Sequence, residues 1–281
     1  MPGKIEREGN AAKIPALTEL TIGIKGGGDL ATGIAVRLFR SGFTRIFIME
    51  VPAPTTIRRQ VAFASALYEG KITVEGITAV TAKGTPDIHT AWKNKTVPVL
   101  ADPEWASISS IRPDVLVDAV IAKKNLGTQI TDAPLTIALG PGFTAGRDVD
   151  AVIETRRGHD LGRVIREGNA QPNTSRPEAV KGFSSERLLR SPGHGIFTAT
   201  ARIGDHVTAG QILGHVDKNP VRSGITGVIR GLIRDGLPVT AGRKIGDVDP
   251  RNDTRYCGTV SDKARSLGGA ILEVILDRFN R

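Results

Sequence analysis

The sequence predicts an α/β chain. A Rossmann-like parallel-sheet domain is expected over residues 19–167, a small all-β domain over 187–250, and a C-terminal tail and helix over 251–281. Three observations predict it. An apolar run, a glycine-rich turn and an amphipathic run follow one another between residues 20 and 42. Further apolar runs recur through residue 155, several ending in a glycine-rich or basic loop. Beyond residue 190 a set of short alternating segments repeats itself at an offset of 32 residues.

Leu20-Thr21-Ile22-Gly23-Ile24 reads as a buried strand. Ile34, Ala35, Leu38 and Phe39 fall at helical spacing, and Gly42 ends that run. Between them lies Lys25-Gly26-Gly27-Gly28-Asp29-Leu30-Ala31-Thr32-Gly33, in which Gly26, Gly28 and Ala31 fit the G-x-G-x-x-G/A form. The first glycine permits a tight turn, the second lets backbone approach a pyrophosphate, and the small third residue lets helix pack on strand. The helix start would turn N–H groups and a partial positive charge toward phosphates. Arg45–Glu50 reads as the next strand. Its terminal acid stands where a dinucleotide-binding unit places the ribose acid, about twenty residues past the glycines. Gly26, Gly27, Gly28, Asp29, Ala31, Thr32, Gly33 and Glu50 are therefore candidate cofactor contacts. The alternative is a tight turn followed by an ordinary strand end.

Thr55-Thr56-Ile57-Arg58-Arg59 precedes an expected helix over residues 60–68, stopped by Gly70. Thr55, Arg58 and Arg59 are suited to a phosphate, although an exposed helix start accounts for them equally. Residues 71–80 read as a hairpin around Glu75-Gly76. Val97–Leu100 reads as a strand, with Pro98 making it a poor central one. Asp102 and Pro103 read as the cap and first position of a helix. Pro113–Ile121 is a near-continuous apolar strand, as in a parallel sheet covered on both faces, and Lys123 lies just past its end, on the ligand side of such sheets. Leu135–Leu139 is a further strand, running into a glycine-rich loop with Gly140 and Gly142. Val149–Thr155 follows as a strand, and then Arg156-Arg157-Gly158-His159-Asp160-Leu161-Gly162-Arg163, the densest polar cluster in the chain. Arg156, Arg157 and Arg163 suit phosphate or carboxylate oxygens. His159 beside Asp160 is a candidate acid–base group, although sequence neighbours need not touch. Residues 1–18 read as a disordered extension and 168–186 as a linker.

Val207-Thr208-Ala209-Gly210 recurs as Val239-Thr240-Ala241-Gly242, and Gly214, Val216 and Asp217 recur as Gly246, Val248 and Asp249. One such unit cannot bury its apolar face alone, but two can cover each other. The pattern resembles the barrel-sandwich fold of biotinyl and lipoyl domains. The nearby lysine, Lys218, lacks the preceding methionine of their attachment site, so covalent biotin or lipoate is not expected. In the tail, Ile271, Leu272, Ile275, Leu276 and Phe279 form an amphipathic helix. Cys257 is a candidate nucleophile or sulfur carrier; the alternative is a small buried apolar side chain.

The 281 residues carry a formal charge of +9, 40% hydrophobic residues and 4% aromatics. The charge points to an anionic partner, and the scarcity of aromatics argues against stacked nucleic-acid bases. A small anionic ligand or an acidic protein is favoured. One cysteine excludes an internal disulfide and fits a reducing cytoplasm. No leader pattern opens the chain, and no apolar run reaches the ~18–20 residues of a membrane span. The five histidines form no metal pair, so no structural metal is expected.

Gly26–Gly33, Pro54–Arg59, Asp118–Asn125, Gly140–Gly146, Arg157–Arg163, Gly246–Pro250 and Ser261–Arg265 together resemble the YqeB family of the selenium-dependent molybdenum hydroxylase system. The resemblance runs from about residue 20 to 277. It implies an accessory factor that matures molybdenum hydroxylases of the xanthine and purine dehydrogenase type. The client hydroxylase would be a partner, and a molybdopterin-type cofactor or nucleotide the ligand. It supplies no catalytic residues. The rival from another class is an NAD-dependent oxidoreductase, favoured by Glu50. Self-association into a homo-oligomer stays open at this stage.

Overall fold

The computed structural model describes residues 16–173 and 177–280. Residues 1–15 of the expected extension, 174–176 of the expected linker and Arg281 lie outside the described residues. The first unit contains β1 (Thr21–Lys25), α1 (Asp29–Arg40), β2 (Arg45–Glu50), α2 (Ala66–Glu69), β3 (Lys71–Val74), β4 (Ile77–Ala82), α3 (Thr85–Lys93), β5 (Val97–Ala101), α4 (Ser107–Ile111), β6 (Val115–Asp118), β7 (Leu135–Leu139), β8 (Thr144–Ala145), β9 (Ala151–Ile153), β10 (Val164–Ile165) and β11 (Gly168–Asn169). Nine of these strands form one sheet in the order β10-β9-β7-β6-β1-β2-β5-β4-β3. All neighbours run parallel except the outermost pair at each edge. The chain winds outward from β1 in both directions, so the switch point lies between β1 and β6, where α/β sheets bind ligands.

Successive side chains point to opposite faces of each strand. Ile22, Ile24, Ile46, Ile48, Val115 and Val117 face one layer, with Ile34, Ala35 and Leu38 of α1. Phe47, Met49 and Leu116 face the other, with Ile88 of α3. Both faces are covered, which is why the central strands are apolar throughout. Strands β6, β7 and β9 follow one another with no crossover helix. Their first face is covered from the far end of the chain, by α6 (Asp262–Phe279), whose Leu267, Ile271, Val274 and Ile275 join the same core. The tail helix thus completes the first unit. It crosses α1 closely, because a Cβ on Gly33 would sit 2.5 Å from the Ala264 Cβ.

The second unit contains β12 (Leu188–Arg190), β13 (Gly195–Ala199), β14 (His206–Val207), β15 (Ile212–Val216), β16 (Asn219–Arg222), β17 (Gly227–Leu232), β18 (Pro238–Val239) and β19 (Lys244–Asp249), with α5 (Arg255–Gly258) after it. It forms two four-stranded antiparallel sheets, β12-β19-β17-β14 and β16-β15-β13-β18, over a shared core that includes Phe197, Leu213, Ile229 and Ile245. Adding the repeat offset carries β13, β14 and β15 onto β17, β18 and β19. Each repeat lends a strand to the other's sheet, since β13 pairs with β18 and β17 with β14. That exchange is how two units that cannot bury themselves bury each other. At the coarse level the expected architecture stands: a mixed α/β chain with a large parallel-rich sheet, a separate antiparallel unit and a C-terminal helix.

Three local expectations change. Residues 60–68 are not one helix but two short 3-10 turns leading into α2. Pro98 lies inside the sheet, in β5 between β2 and β4. Its missing N–H is compensated: the Ile46 carbonyl on neighbouring β2 accepts the Trp92 indole N–H at 2.8 Å. Asp102 does act as a cap, accepting from Ala106 and Ser107 N–H, but the helix starts at Ser107, later than Pro103 implied.

Candidate functional site

The glycine turn closes β1 and opens α1 as expected. Gly26 adopts φ 85°, and a Cβ there would sit 3.2 Å from the Val120 Cα. Gly27 is equally confined, by Ala64, whose N–H donates to the Gly27 carbonyl at 2.9 Å. Glu50 braces this turn: Oε2 accepts from Gly27 N–H at 2.9 Å and Oε1 from Val51 N–H at 2.7 Å. Both oxygens of the expected ribose acid are thus engaged by backbone. Thr32 donates to the Gly28 carbonyl at 2.9 Å and accepts from Phe63 N–H at 2.8 Å. Ala31 is buried in the core and Gly33 serves the α1–α6 crossing. Gly28 and Asp29 remain half-exposed, with open space where a Gly28 Cβ would stand.

The second expected phosphate group is used to join the two units. Arg58 is 9% exposed; its Nη1 lies 3.3 Å from Asp29, and its Nη2 donates to the Tyr256 and Thr259 carbonyls at 2.8 and 2.9 Å. Arg59 donates through Nε to the Leu232 carbonyl at 2.7 Å. Thr55 accepts from Arg243 at 2.5 Å. Leu232 N–H donates back to the Ile57 carbonyl at 2.9 Å, and Gly231 leaves room for Ile57, whose Cγ2 would lie 2.8 Å from a Cβ there. Glu69 pairs with Arg234 beside the Tyr68 ring. Thr55, Arg58 and Arg59 therefore tie the β unit and tail to the first unit.

The loops after β6, β7 and β9 converge instead on a crevice of about 370 Å³ at the carboxyl ends of those strands. Its walls include Lys123, Pro141, Thr155, Arg156, Arg157, Gln171, Glu178 and Lys263. Close contacts set its shape. Gly142 (φ 112°) would place a Cβ 2.7 Å from the Lys124 Cα, and Gly140 (φ 73°) one 2.5 Å from the Thr155 hydroxyl, so both glycines are required for the loops to meet. Glu154, buried at 2% exposure, accepts from Arg156 N–H at 2.6 Å and Gln171 N–H at 2.7 Å, pinning two walls together. Arg156 reaches Gln171 at 2.8 Å. Arg157 forms a fork with Asp262 at 2.6 and 2.7 Å and lies 3.4 Å from Glu178. The hydrogen bonds from Arg157 hold the Asp262 carboxyl well below the usual carboxylate range.

Lys263 is half-buried, and its ammonium has no hydrogen bond or ion pair among the described residues. Burial first, then the Arg157 charge, pushes it below the ordinary lysine value. It projects from the first turn of α6, whose N-terminus adds partial positive charge. Lys123, Arg156, Arg157 and Lys263 thus line the crevice against one lining acid, Glu178, with Asp29, Glu154 and Glu178 offsetting part of the Arg157 repulsion on Lys263.

Arg163 pairs with Asp160 at 3.0 Å and does not line the crevice. His159 is exposed beside a smaller hollow with Arg156 and Asp160. No hydrogen bond joins His159 to Asp160, whose partners are Arg163 and Gln171, so the expected acid–base pair does not form. Cys257 is buried on α5, with Sγ 3.5 Å from the Ile229 carbonyl. Burial pushes its thiol up despite Arg58 and Arg230, the opposite of an activated thiolate. The sequence reading missed Lys263, Thr155, Gln171 and Glu178. The one available signal was Ser261, a helix cap placing Lys263 in a first turn.

No family model matches the chain. A curated protein, the uncharacterized protein YqeB of Escherichia coli K12, is 45% identical over 253 residues, which is 90% of this chain and 47% of that protein. The chain therefore spans about half the length of that relative. Among solved structures, an aspartoacylase family protein from Mesorhizobium loti is 13% identical, covers 72% of this chain and 56% of its own, and superposes with a TM-score of 0.24. A succinylglutamate desuccinylase/aspartoacylase from Rhodobacter sphaeroides is 14% identical, with 82% and 85% covered and the same TM-score of 0.24. Superpositions at that level carry no argument about fold or chemistry. Across nine-tenths of its own length the chain is thus similar to about half of YqeB, at 45% identity.

Proposed function

We propose that the chain is a cytoplasmic accessory factor for maturing selenium-dependent molybdenum hydroxylases, and that it holds a phosphate-bearing cofactor, a molybdopterin or its nucleotide form, in the crevice beyond β6, β7 and β9. The pathway rests on the resemblance to the YqeB family. The ligand class rests on one observation: four cations meet at a 370 Å³ crevice, and one of them, Lys263, has no partner among the described residues. Arginine forks and an ammonium at a helix start suit phosphate oxygens. The client hydroxylase would receive the ligand from this face.

The rival reading is an NAD-dependent oxidoreductase, in which Glu50 would accept ribose hydroxyls with lone pairs left beside the two backbone N–H groups it already accepts. A thermal-shift panel of CTP, ATP, NAD, NADP and cytidine-linked molybdopterin, repeated on Lys263→Met, tests the proposal. Stabilisation by the molybdopterin ligand that Lys263→Met abolishes is expected. Stabilisation by NAD alone, unaffected by that change, would contradict it.

A further inference from the structure

Lys25 is 1% exposed at the last position of β1, immediately before the glycine turn. Burying a lysine is costly, and an apolar side chain of similar volume is often no less stable in such a place. What its charge does is legible in its partners. Nζ donates to the Thr128 hydroxyl at 2.9 Å, lies 3.5 Å from Asp132, and stands 5.4 Å from the Trp105 ring centroid. The Thr128 hydroxyl in turn donates a hydrogen bond to Asp118 at 2.6 Å. Asp118, 3% exposed, is the residue registered beside Lys25 on neighbouring β6.

Three of these partners, Thr128, Asp132 and Asp118, bear on one segment. Residues 119–134 join β6 to β7 without a helix or strand, in a sheet whose parallel neighbours ordinarily need a crossover helix. Irregular segments this long inside a domain tend to be functional. This one is pinned on both sides of Lys123. Upstream, Asp118 Oδ1 accepts from Val120 N–H at 3.2 Å. Downstream, the Asn125 side chain accepts from Gly127 and Thr128 N–H at 2.9 and 2.8 Å and donates to the Thr128 carbonyl at 2.8 Å, so residues 125–128 move with Thr128. Between the pins, Ile121 and Lys123 hold left-handed backbone, φ 58° and 63°, which a non-glycine residue keeps only when its surroundings impose it.

We infer that Lys25 is a positioning residue: by holding Thr128 and Asp132 it fixes the β6–β7 segment and sets Lys123 at the crevice wall. This rests on the crevice being the anion site. Lys25 itself touches no ligand. It acts through Lys123, and that gives the inference a signature a merely structural lysine would lack.

The test compares Lys25→Met, Lys123→Ala and the double variant, with inorganic pyrophosphate as probe. Lys123→Ala should weaken binding about tenfold, the loss of one charge-assisted contact. Lys25→Met should weaken it to a similar extent, and the double variant no further. Amide exchange at Gly127 and Thr128 should quicken in Lys25→Met while exchange in α6 stays unchanged. Losses that multiply in the double variant, or unchanged exchange at Gly127 and Thr128, would overturn the inference. If Lys25→Met does not fold, Thr128→Val, which removes the hydroxyl between Lys25 and Asp118, carries the same expectations. A wild-type protein that does not bind pyrophosphate would overturn the crevice reading and the role assigned to Lys123, and the exchange data would still decide whether Lys25 holds the segment.

Discussion

Two arginine-rich segments follow parallel strands of the same sheet and make different kinds of contact. Thr55–Arg59 comes after β2, Arg156–Arg163 after β9. Arg58 through Nη2 and Arg59 through Nε donate to the carbonyls of Tyr256, Thr259 and Leu232, joining the tail and β unit to the sheet. Arg156 and Arg157 reach only side chains at the rim of a crevice, beside a lysine with no partner among the described residues. The difference lies in what each segment faces. A guanidinium against backbone carbonyls from another part of the chain is a structural tie. A guanidinium against exposed carboxylates, in a pocket with surplus positive charge, is available to an anion that displaces or joins them.

The sharpest way to break this contrast is to remove a tie. Arg58→Ala leaves two carbonyls and Asp29 without their donor, and about 2–4 kcal/mol of stability should be lost, read from the denaturant midpoint. Pyrophosphate affinity per folded molecule should hold. If Arg58→Ala abolished binding and left the midpoint alone, the two segments would have to exchange roles. Crevice cations should behave the other way. Arg156→Ala or Lys263→Met should change stability by less than about 0.5 kcal/mol, while each weakens pyrophosphate about tenfold in a calorimetric titration.

The smallest effect expected concerns acid. Asp262 has a folded-state pKa depressed by Arg157. Its stabilising share is therefore present above the ordinary carboxylate value of about 4 and is lost as pH falls below that. The pair is solvent-exposed, 35% on Arg157 and 66% on Asp262, so screening keeps the share small. Asp262→Asn should flatten the acid limb of Tm against pH slightly, and an unchanged limb would show that the fork adds no stability.

Much of the architecture could be read before any coordinates. Strand–turn–helix around Gly26–Gly28 depends on local sequence alone, as does the 32-residue repeat, and both are present. Long-range closure was harder to see. Nothing near β6, β7 or β9 announces that α6 will cover them, because the signal sits in distant parts of the chain, in Gly33 and Ala264, two small residues whose meaning is each other. Pro98 misled because its compensation is the side chain of Trp92. Within the site, Lys123, Gly140, Gly142, Arg156 and Arg157 were legible as basic and glycine loops at strand ends. Lys263 was not, since an isolated lysine on an amphipathic helix looks like any solvated one. Glu50 and Arg58 show the converse. Their residue types were legible, but a sequence does not show that backbone from elsewhere in the chain hydrogen-bonds to them.

The most direct single measurement is calorimetric titration of pyrophosphate into the wild-type protein and into the Arg156→Ala/Lys263→Met double variant, with the denaturant midpoint of each recorded. Saturable one-to-one binding by the wild type, weakened about a hundredfold or more in the double variant at an unchanged midpoint, is the expected result. Equal binding by both proteins, or none by the wild type, would contradict the assignment of the crevice as the anion site.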